Sequence, residues 1–293
     1  MRISGFTFVR NAIDLYYPVV ESITSILPIC DEFVIAAGDS TDGTTELLRS
    51  INDPKIKIIE TVWDPKQFVR GASNAIQSNI ALDACTGDWA FYLQADEVVH
   101  ERYLPGLVER MRAYLPDRRV EGLLFDYVHF FADYEHHEIA HGWYRREVRI
   151  VRQGIGARSW KSAQGFRRDG HKLHVALAGA DIYHYGWVRP PRQMTRKNVA
   201  LSTVHVGVDA MRAAKVDADA EFDFGQLWGR TRFTGTHPQV MAARIAAKDW
   251  EVRPGQSRRQ RHDRLGNRVL SFLENRILGF RLGEHRNYIL LPG

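Results

Sequence analysis

Two short clusters in this 293-residue chain carry side chains suited to polar chemistry. The first is Ala36-Ala37-Gly38-Asp39-Ser40-Thr41-Asp42-Gly43-Thr44. The second is Gly87-Asp88-Trp89-Ala90-Phe91-Tyr92-Leu93-Gln94-Ala95-Asp96-Glu97. A carboxylate on a short, rigid strand-end loop is an oxygen ligand for a hard divalent cation. Asp, Gly and Ser at strand ends also make turns and helix caps. Which use applies depends on the elements that hold the clusters.

Those elements alternate in the first half of the chain. Ile3–Val9, Glu32–Ala37, Lys55–Val62 and Trp89–Leu93 read as strands. Between and after them, Tyr16–Leu27, Thr44–Ile51, Ala72–Ala84 and Tyr103–Leu115 carry apolar residues at helical spacing. This order predicts βαβ units and a parallel sheet. Ligands of such sheets bind beyond the carboxyl ends of the strands, where both clusters fall. From Glu121 the pattern changes. Gly122–Phe131, Glu147–Val151 and Ile182–Val188 read as longer strands with no helix between them, a mixed or antiparallel extension of the sheet. Residues 191–206 turn helical after Pro190-Pro191, another helix is expected near Gln239–Ala247, and Pro254-Gly255-Gln256-Ser257 reads as a hinge. No internal repeat is present.

The two clusters, together with Asn11 and Asn79, resemble glycosyltransferase family 2, most clearly over residues 1–130 and more weakly to about residue 205. The resemblance implies an α/β GT-A fold: a Rossmann-like, mostly parallel sheet with a mixed C-terminal extension. It implies a catalytic domain over 1–206, with a nucleotide-sugar half at 1–120 and an acceptor half at 121–206, and a helical, basic extension over 207–293. It also implies a nucleotide-sugar donor such as a UDP-sugar, with Mn2+ or Mg2+ on its diphosphate. A metal there would neutralise the charge that grows as the glycosidic bond breaks. Asp96 is the implied metal ligand, with Glu97 as a second ligand or the brace of its loop. His184 would complete the shell, since imidazole suits Mn2+ better than Ca2+; its alternative is a core place between Tyr183 and Trp187. The donor-binding set would be Phe8, Arg10, Asn11, Asp39, Arg70, Asn79 and Gln94, with the arginines serving base and phosphate. Two departures from the family pattern stand out. Gln94 replaces the first Asp of the metal motif, and Ala37-Gly38 replaces an acidic pair.

An inverting transfer needs a base near the acceptor hydroxyl. Related sequences carry a Glu where this one reads Ser162-Ala163-Gln164-Gly165-Phe166. Asp126, Glu147 and His129 are the remaining candidates. Trp143, Tyr144, Trp160, Phe166 and Trp187 could stack on the sugar of a saccharide or lipid-linked acceptor, or fill the core. A nucleotidyltransferase would show a Gly-rich basic loop after the first strand, and Arg10-Asn11-Ala12-Ile13-Asp14 is not one. A non-catalytic nucleotide-sugar-binding module remains compatible with Gln94.

Hydrophobic residues make up 44% of the chain and charged residues 26%, as expected for a packed globular body. No apolar run is long enough to span a membrane, and no signal peptide is read at the start. Cys30 and Cys85 are expected as reduced thiols in a cytoplasmic protein. Residues 251–293 hold nine Arg and four acids, whereas residues 1–250 hold 31 basic and 31 acidic residues. The tail therefore carries the whole net charge of +5. Within it, Leu265, Val269, Leu273, Ile277 and Phe280 fall on one helical face, with Arg264, Arg268 and Arg276 mainly off it. Such a helix either docks on the catalytic body or lies on the inner face of an anionic plasma membrane. That placement would serve cell-surface glycan synthesis; nucleic acid is not an expected partner.

Overall fold

The computed structural model describes residues 1–225, 227, 230–252, 265–284 and 286–292. The expected hinge at Pro254–Ser257 and the expected Arg264 lie outside these residues. The chain opens with β1 (Ile3–Val9), α1 (Val19–Ile26), β2 (Glu32–Ala37), α2 (Thr44–Arg49), β3 (Ile56–Glu60), α3 (Ala72–Asp83) and β4 (Trp89–Tyr92). Then come β5 (Glu97–Val99), α4 (Leu104–Tyr114), β6 (Gly122–Ala132), β7 (His136–Glu138), β8 (Arg146–Arg152), β9 (Ala157–Trp160), β10 (Gly165–Arg168) and β11 (His171–Val188). The remainder is α5 (Pro191–Val206), α6 (Val208–Ala214), β12 (Thr231–Arg232), α7 (Ala242–Ala246), α8 (Leu265–Leu273) and β13 (Tyr288–Leu290).

The sheet runs β3-β2-β1-β4-β8-β6-β11-β10-β9. Its first four strands are parallel, and β8 enters antiparallel between β4 and β6. Strand alternation splits the core into two layers. Val9, Ile35, Phe91 and Leu93 point toward α1 and α4, whose Val19, Ile23, Ile26, Leu107 and Met111 recur at helical spacing. Phe6, Val34, Ala36 and Tyr92 point to the opposite face, toward α3 and the β9–β10 hairpin. β1, β2 and β4 are buried on both faces, so their near-continuous apolar sequences fit a parallel sheet.

The C-terminal part returns to this body. β13 pairs parallel with β11, Leu173 opposite Tyr288, and Met241 and Trp250 join an apolar cluster with Phe130 and Tyr185. Cys30 and Cys85 are free thiols. Among the described residues no helix is long and apolar enough to cross a membrane.

The orientation of α8, continued by a π-helical turn at Glu274–Leu278, reverses one expectation. It does dock on the body, but through its polar side. Ser271 Oγ accepts from His141 N at 2.7 Å, Glu274 pairs with His141 and Arg281 at 2.7 Å each, and Asn275 Nδ2 donates to Ile139 O at 2.9 Å. The apolar face points outward, with Leu265 75% and Ile277 64% exposed and Val269, Phe272 and Phe280 exposed beside them.

Candidate active site

The carboxyl ends of β1 and β4 open onto a cavity of about 670 Å3, a size suited to a small organic ligand. Its walls come from α5, β8, β11 and the turn between β9 and β10. Arg10, Arg149, Lys161 and Lys197 line it, the first two paired with Asp39 and Glu97 behind the wall and Lys197 with the lining Asp96, beside a second lining acid, Glu147.

At one end Phe8, Arg10 and Asn11 leave β1 and face Trp63 and Phe68. The Phe8 and Trp63 rings stand 6.0 Å apart, and the Arg10 guanidinium lies 5.7 Å from the Trp63 ring. These flat groups suit a planar base. Asp39 is not part of the wall. It holds two wall residues, accepting from Trp63 N at 3.2 Å and pairing with Arg10 Nε at 3.1 Å. Gly38 is needed beside it, because a Cβ there would stand 2.5 Å from Trp63 Nε1. Asn11, at φ 52°, ties the ends of β1 and β2: its Oδ1 accepts from Thr41 N at 3.0 Å and its N donates to Ser40 Oγ at 2.9 Å.

Two expected donor residues stand away from the cavity. Asn79 Oδ1 accepts from Ser159 N at 2.8 Å and so fastens α3 to β9. Arg70 has an exposed side chain, and its backbone N donates to His205 O at 2.8 Å. Of the aromatic candidates, Tyr144, Trp160 and Trp187 line the cavity. Phe166 is core, edge-on to Tyr92, and Trp143 packs behind the wall against His129 and Trp187.

Asp96 is the centre of the site. Lys197 Nζ, from α5, lies 2.8 Å from Asp96 Oδ2 and 2.7 Å from Gly186 O. Arg189 Nη2 is 3.9 Å from the same Oδ2. Burial pushes the Asp96 carboxyl up, but Lys197, His184 and Arg189 outweigh it and hold it well below the usual carboxylate range. Burial and Arg189 bring Lys197 down to about 8 against the pull of Asp96.

His184 Nε2 is 3.9 Å from Asp96 Oδ1, and its Nδ1 is 2.9 Å from His129 Nδ1. His129 Nε2 is 2.8 Å from Tyr144 O. A carbonyl can only accept, so His129 carries its proton on Nε2 and accepts from His184 Nδ1. His184 Nε2 is left as a bare acceptor on the Asp96 side. Burial drives His129 down to about 3 and His184 to about 4, so both rings are neutral near pH 7.

This donor set does not fit a resident divalent cation. Gln94 is neutral, and its Nε2 donates to Ala163 O at 3.1 Å. Glu97, expected as a ligand or the brace of its loop, is fully buried and already satisfied: Arg149 donates to both its oxygens at 2.8 Å, Tyr127 donates to Oε1 at 2.8 Å, and Gln94 N donates to Oε2 at 3.1 Å. Asp96 and His184 remain as a pair, and among the described residues no three His, Cys, Asp or Glu converge on one point. The Lys197 ammonium already occupies the flank of Asp96. A dication roughly 4 Å from an ammonium is repelled by on the order of 8 kcal/mol at an effective dielectric near 20.

Of the three base candidates only Glu147 lines the cavity. Asp126 lies outside it, paired with Arg146 Nε at 2.6 Å, and both nitrogens of His129 are engaged. Glu147 Oε2 has no hydrogen-bond partner among the described residues. Burial, opposed by Arg149 and aided by Glu97, pushes its carboxyl up to about 7, where it can exchange a proton near neutrality.

Sequence reasoning missed Trp63, Gly186, Arg189 and Lys197. Lys197 finds Asp96 across 101 positions, a pairing no local pattern reveals. Gly186 did leave a signal, since a glycine inside a strand marks a close approach. A Cβ there would stand 2.4 Å from His184 Nε2 and 3.0 Å from Asp96 Oδ2.

No curated protein sequence matches the chain. Among solved structures, S. aureus TarS 1-349 is 12% identical with a TM-score of 0.38, over 72% of this chain and 68% of that one. Glucosyl-3-phosphoglycerate synthase from Mycobacterium tuberculosis is 19% identical with a TM-score of 0.30, over 44% of each chain. Mannosyl-3-phosphoglycerate synthase from Rubrobacter xylanophilus is 18% identical with a TM-score of 0.32, over 46% of this chain and 42% of that one. The chain spans less than half the length of these two synthases, and 41% of a longer TarS chain. The pattern of glycosyl transferase family 2 matches residues 9–223. Most of the chain, including the whole cavity wall except Asn287, falls within that match or one residue before it, and the protein belongs to glycosyl transferase family 2.

Proposed function

We propose that the protein transfers a sugar, with inversion, from a nucleoside-diphosphate donor to a hydroxyl of a saccharide or lipid-linked acceptor. The base would stack among Phe8, Arg10 and Trp63, and the diphosphate would lie toward Lys197. Tyr144, Trp160 and Trp187 offer ring faces to the sugars. The observation that carries the reading is Glu147: a carboxyl on the cavity wall, raised by burial to about 7, whose buried Oε2 has no hydrogen-bond partner among the described residues. Glu147→Gln should cut transfer by about 10^2-fold or more while leaving UDP affinity nearly unchanged. Transfer at the native rate would remove Glu147 from the mechanism.

The same reading places the acceptor at a membrane surface. The outward apolar face of α8 carries Leu265, Val269 and Phe272, Ile277 and Phe280 are exposed in the residues that follow it, and residues 251–293 hold nine Arg against four acids. An apolar face in a stretch of basic sequence complements an anionic bilayer, which can hold a lipid-linked acceptor in reach of the cavity.

A further inference from the structure

The cavity holds its own cation. Lys197 lines it, fixed by Asp96 Oδ2 at 2.8 Å and Gly186 O at 2.7 Å. An ammonium has three donors, so one remains for a guest oxygen. Behind it Arg189 is fully buried. It donates through Nη1 to Leu15 O, and its other partners are Tyr17 and, through Nη2, the Asp96 carboxylate. Lys197 and Arg189 both sit over the Tyr17 ring, at 5.3 and 4.9 Å. Two cations thus share one carboxylate, with the second carboxylate of the loop, Glu97, taken by Arg149.

Resting on the donor reading above, we propose that the Lys197 ammonium, backed by Arg189, takes the place of a divalent cation at the leaving diphosphate. The acceptor oxygen attacks the anomeric carbon and gives its proton to Glu147. The bond from that carbon to the β-phosphate oxygen breaks, and its electron pair stays on the diphosphate. The negative charge gained there meets Lys197, whose position Asp96 and Gly186 fix before reaction, so little reorganisation is needed. Asp96 is then a positioning residue for Lys197.

Calorimetric titration of UDP, or of GDP where the wild type takes no UDP, tests this on the wild type, Lys197→Met and Lys197→Met/Asp96→Asn, each in EDTA and in Mn2+. The double variant matters because Lys197→Met alone leaves a buried carboxylate unpaired. The wild type should bind UDP with affinity unchanged within about threefold between the two conditions, and both variants should bind about tenfold or more weakly in EDTA. A wild-type affinity that collapses in EDTA and returns with Mn2+ overturns the proposal while leaving the donor reading intact. So does a folded double variant that binds UDP as the wild type does. A wild type that binds neither UDP nor GDP in either condition overturns the donor reading itself.

Discussion

Glu147 ties chemistry to stability. Its carboxyl is raised to about 7 in the fold, so the base form grows in as pH rises through that value. Turnover should rise from pH 6 to a maximum between pH 7 and 8 and fall above it as Lys197, brought down to about 8, loses its proton, and a pH–rate profile flat from pH 6 to pH 8 would exclude Glu147 as the base. The stability sign runs the opposite way. A carboxyl raised on folding favours the protonated native state, so stability falls as pH rises from the ordinary Glu value to about 7 and stays lower above it. Glu147→Gln should therefore melt a few degrees above the wild type at pH 8, with a smaller difference at pH 5, by thermal unfolding. Gly186→Ala should act on the same centre, since its Cβ would press on His184 and Asp96. Weakened UDP binding with a retained fold is expected, and native affinity would show that the centre yields without consequence. At this scale the sequence was half legible. Glu147, Asp96 and His184 were readable as candidates because acids and histidines at strand ends are few. Glu97 was legible as a ligand or as the brace of its loop, and its Oε2 accepts from Gln94 N at 3.1 Å; its partner Arg149, 52 positions away, was not, and Lys197 was invisible for the same reason.

The elements were more legible than their edges. Helix periodicity placed α3 and α5 within about a residue of their ends, because apolar faces and the Pro190-Pro191 stop are local signals. β11 was expected only from Ile182, yet it begins at His171. Its first half alternates exposed and buried residues, and the register with β6 shifts between Leu177 and Asp181, so no continuous apolar run marks it. The buried Glu97–Arg149 pair joins β5 to β8 between the Tyr92 and Tyr127 rings, 5.3 and 5.4 Å from the guanidinium. Arg149→Met should cost about 3–5 kcal/mol in urea unfolding by stranding Glu97, and Glu97→Gln/Arg149→Met should recover much of it. A native melt for Arg149→Met would contradict the pairing. α8 makes a different prediction, because its apolar residues contribute to the surface rather than the core. Val269→Asp/Ile277→Asp should leave stability intact and abolish co-sedimentation with anionic vesicles. A wild type that fails to sediment with those vesicles at low salt would remove the membrane reading.

Across the whole molecule, charge separates two tasks. Residues 1–250 balance 31 basic against 31 acidic residues, and the C-terminal stretch adds the excess. The neutral body concentrates its own cations where the strands of the parallel half end, around a cavity closed by the mixed half of the sheet and α5. The basic C-terminal stretch carries α8 on one surface of that body. The central claim is that this cavity receives a nucleoside diphosphate with its phosphates at Lys197. The most direct test is a crystal structure of the protein soaked in turn with UDP and GDP in the presence of EDTA. The account predicts one of them in the cavity, its base against Phe8 and Trp63 and a β-phosphate oxygen within hydrogen-bond distance of Lys197 Nζ. A nucleotide bound elsewhere, or one that enters the cavity only when Mn2+ displaces Lys197 from Asp96, would contradict it.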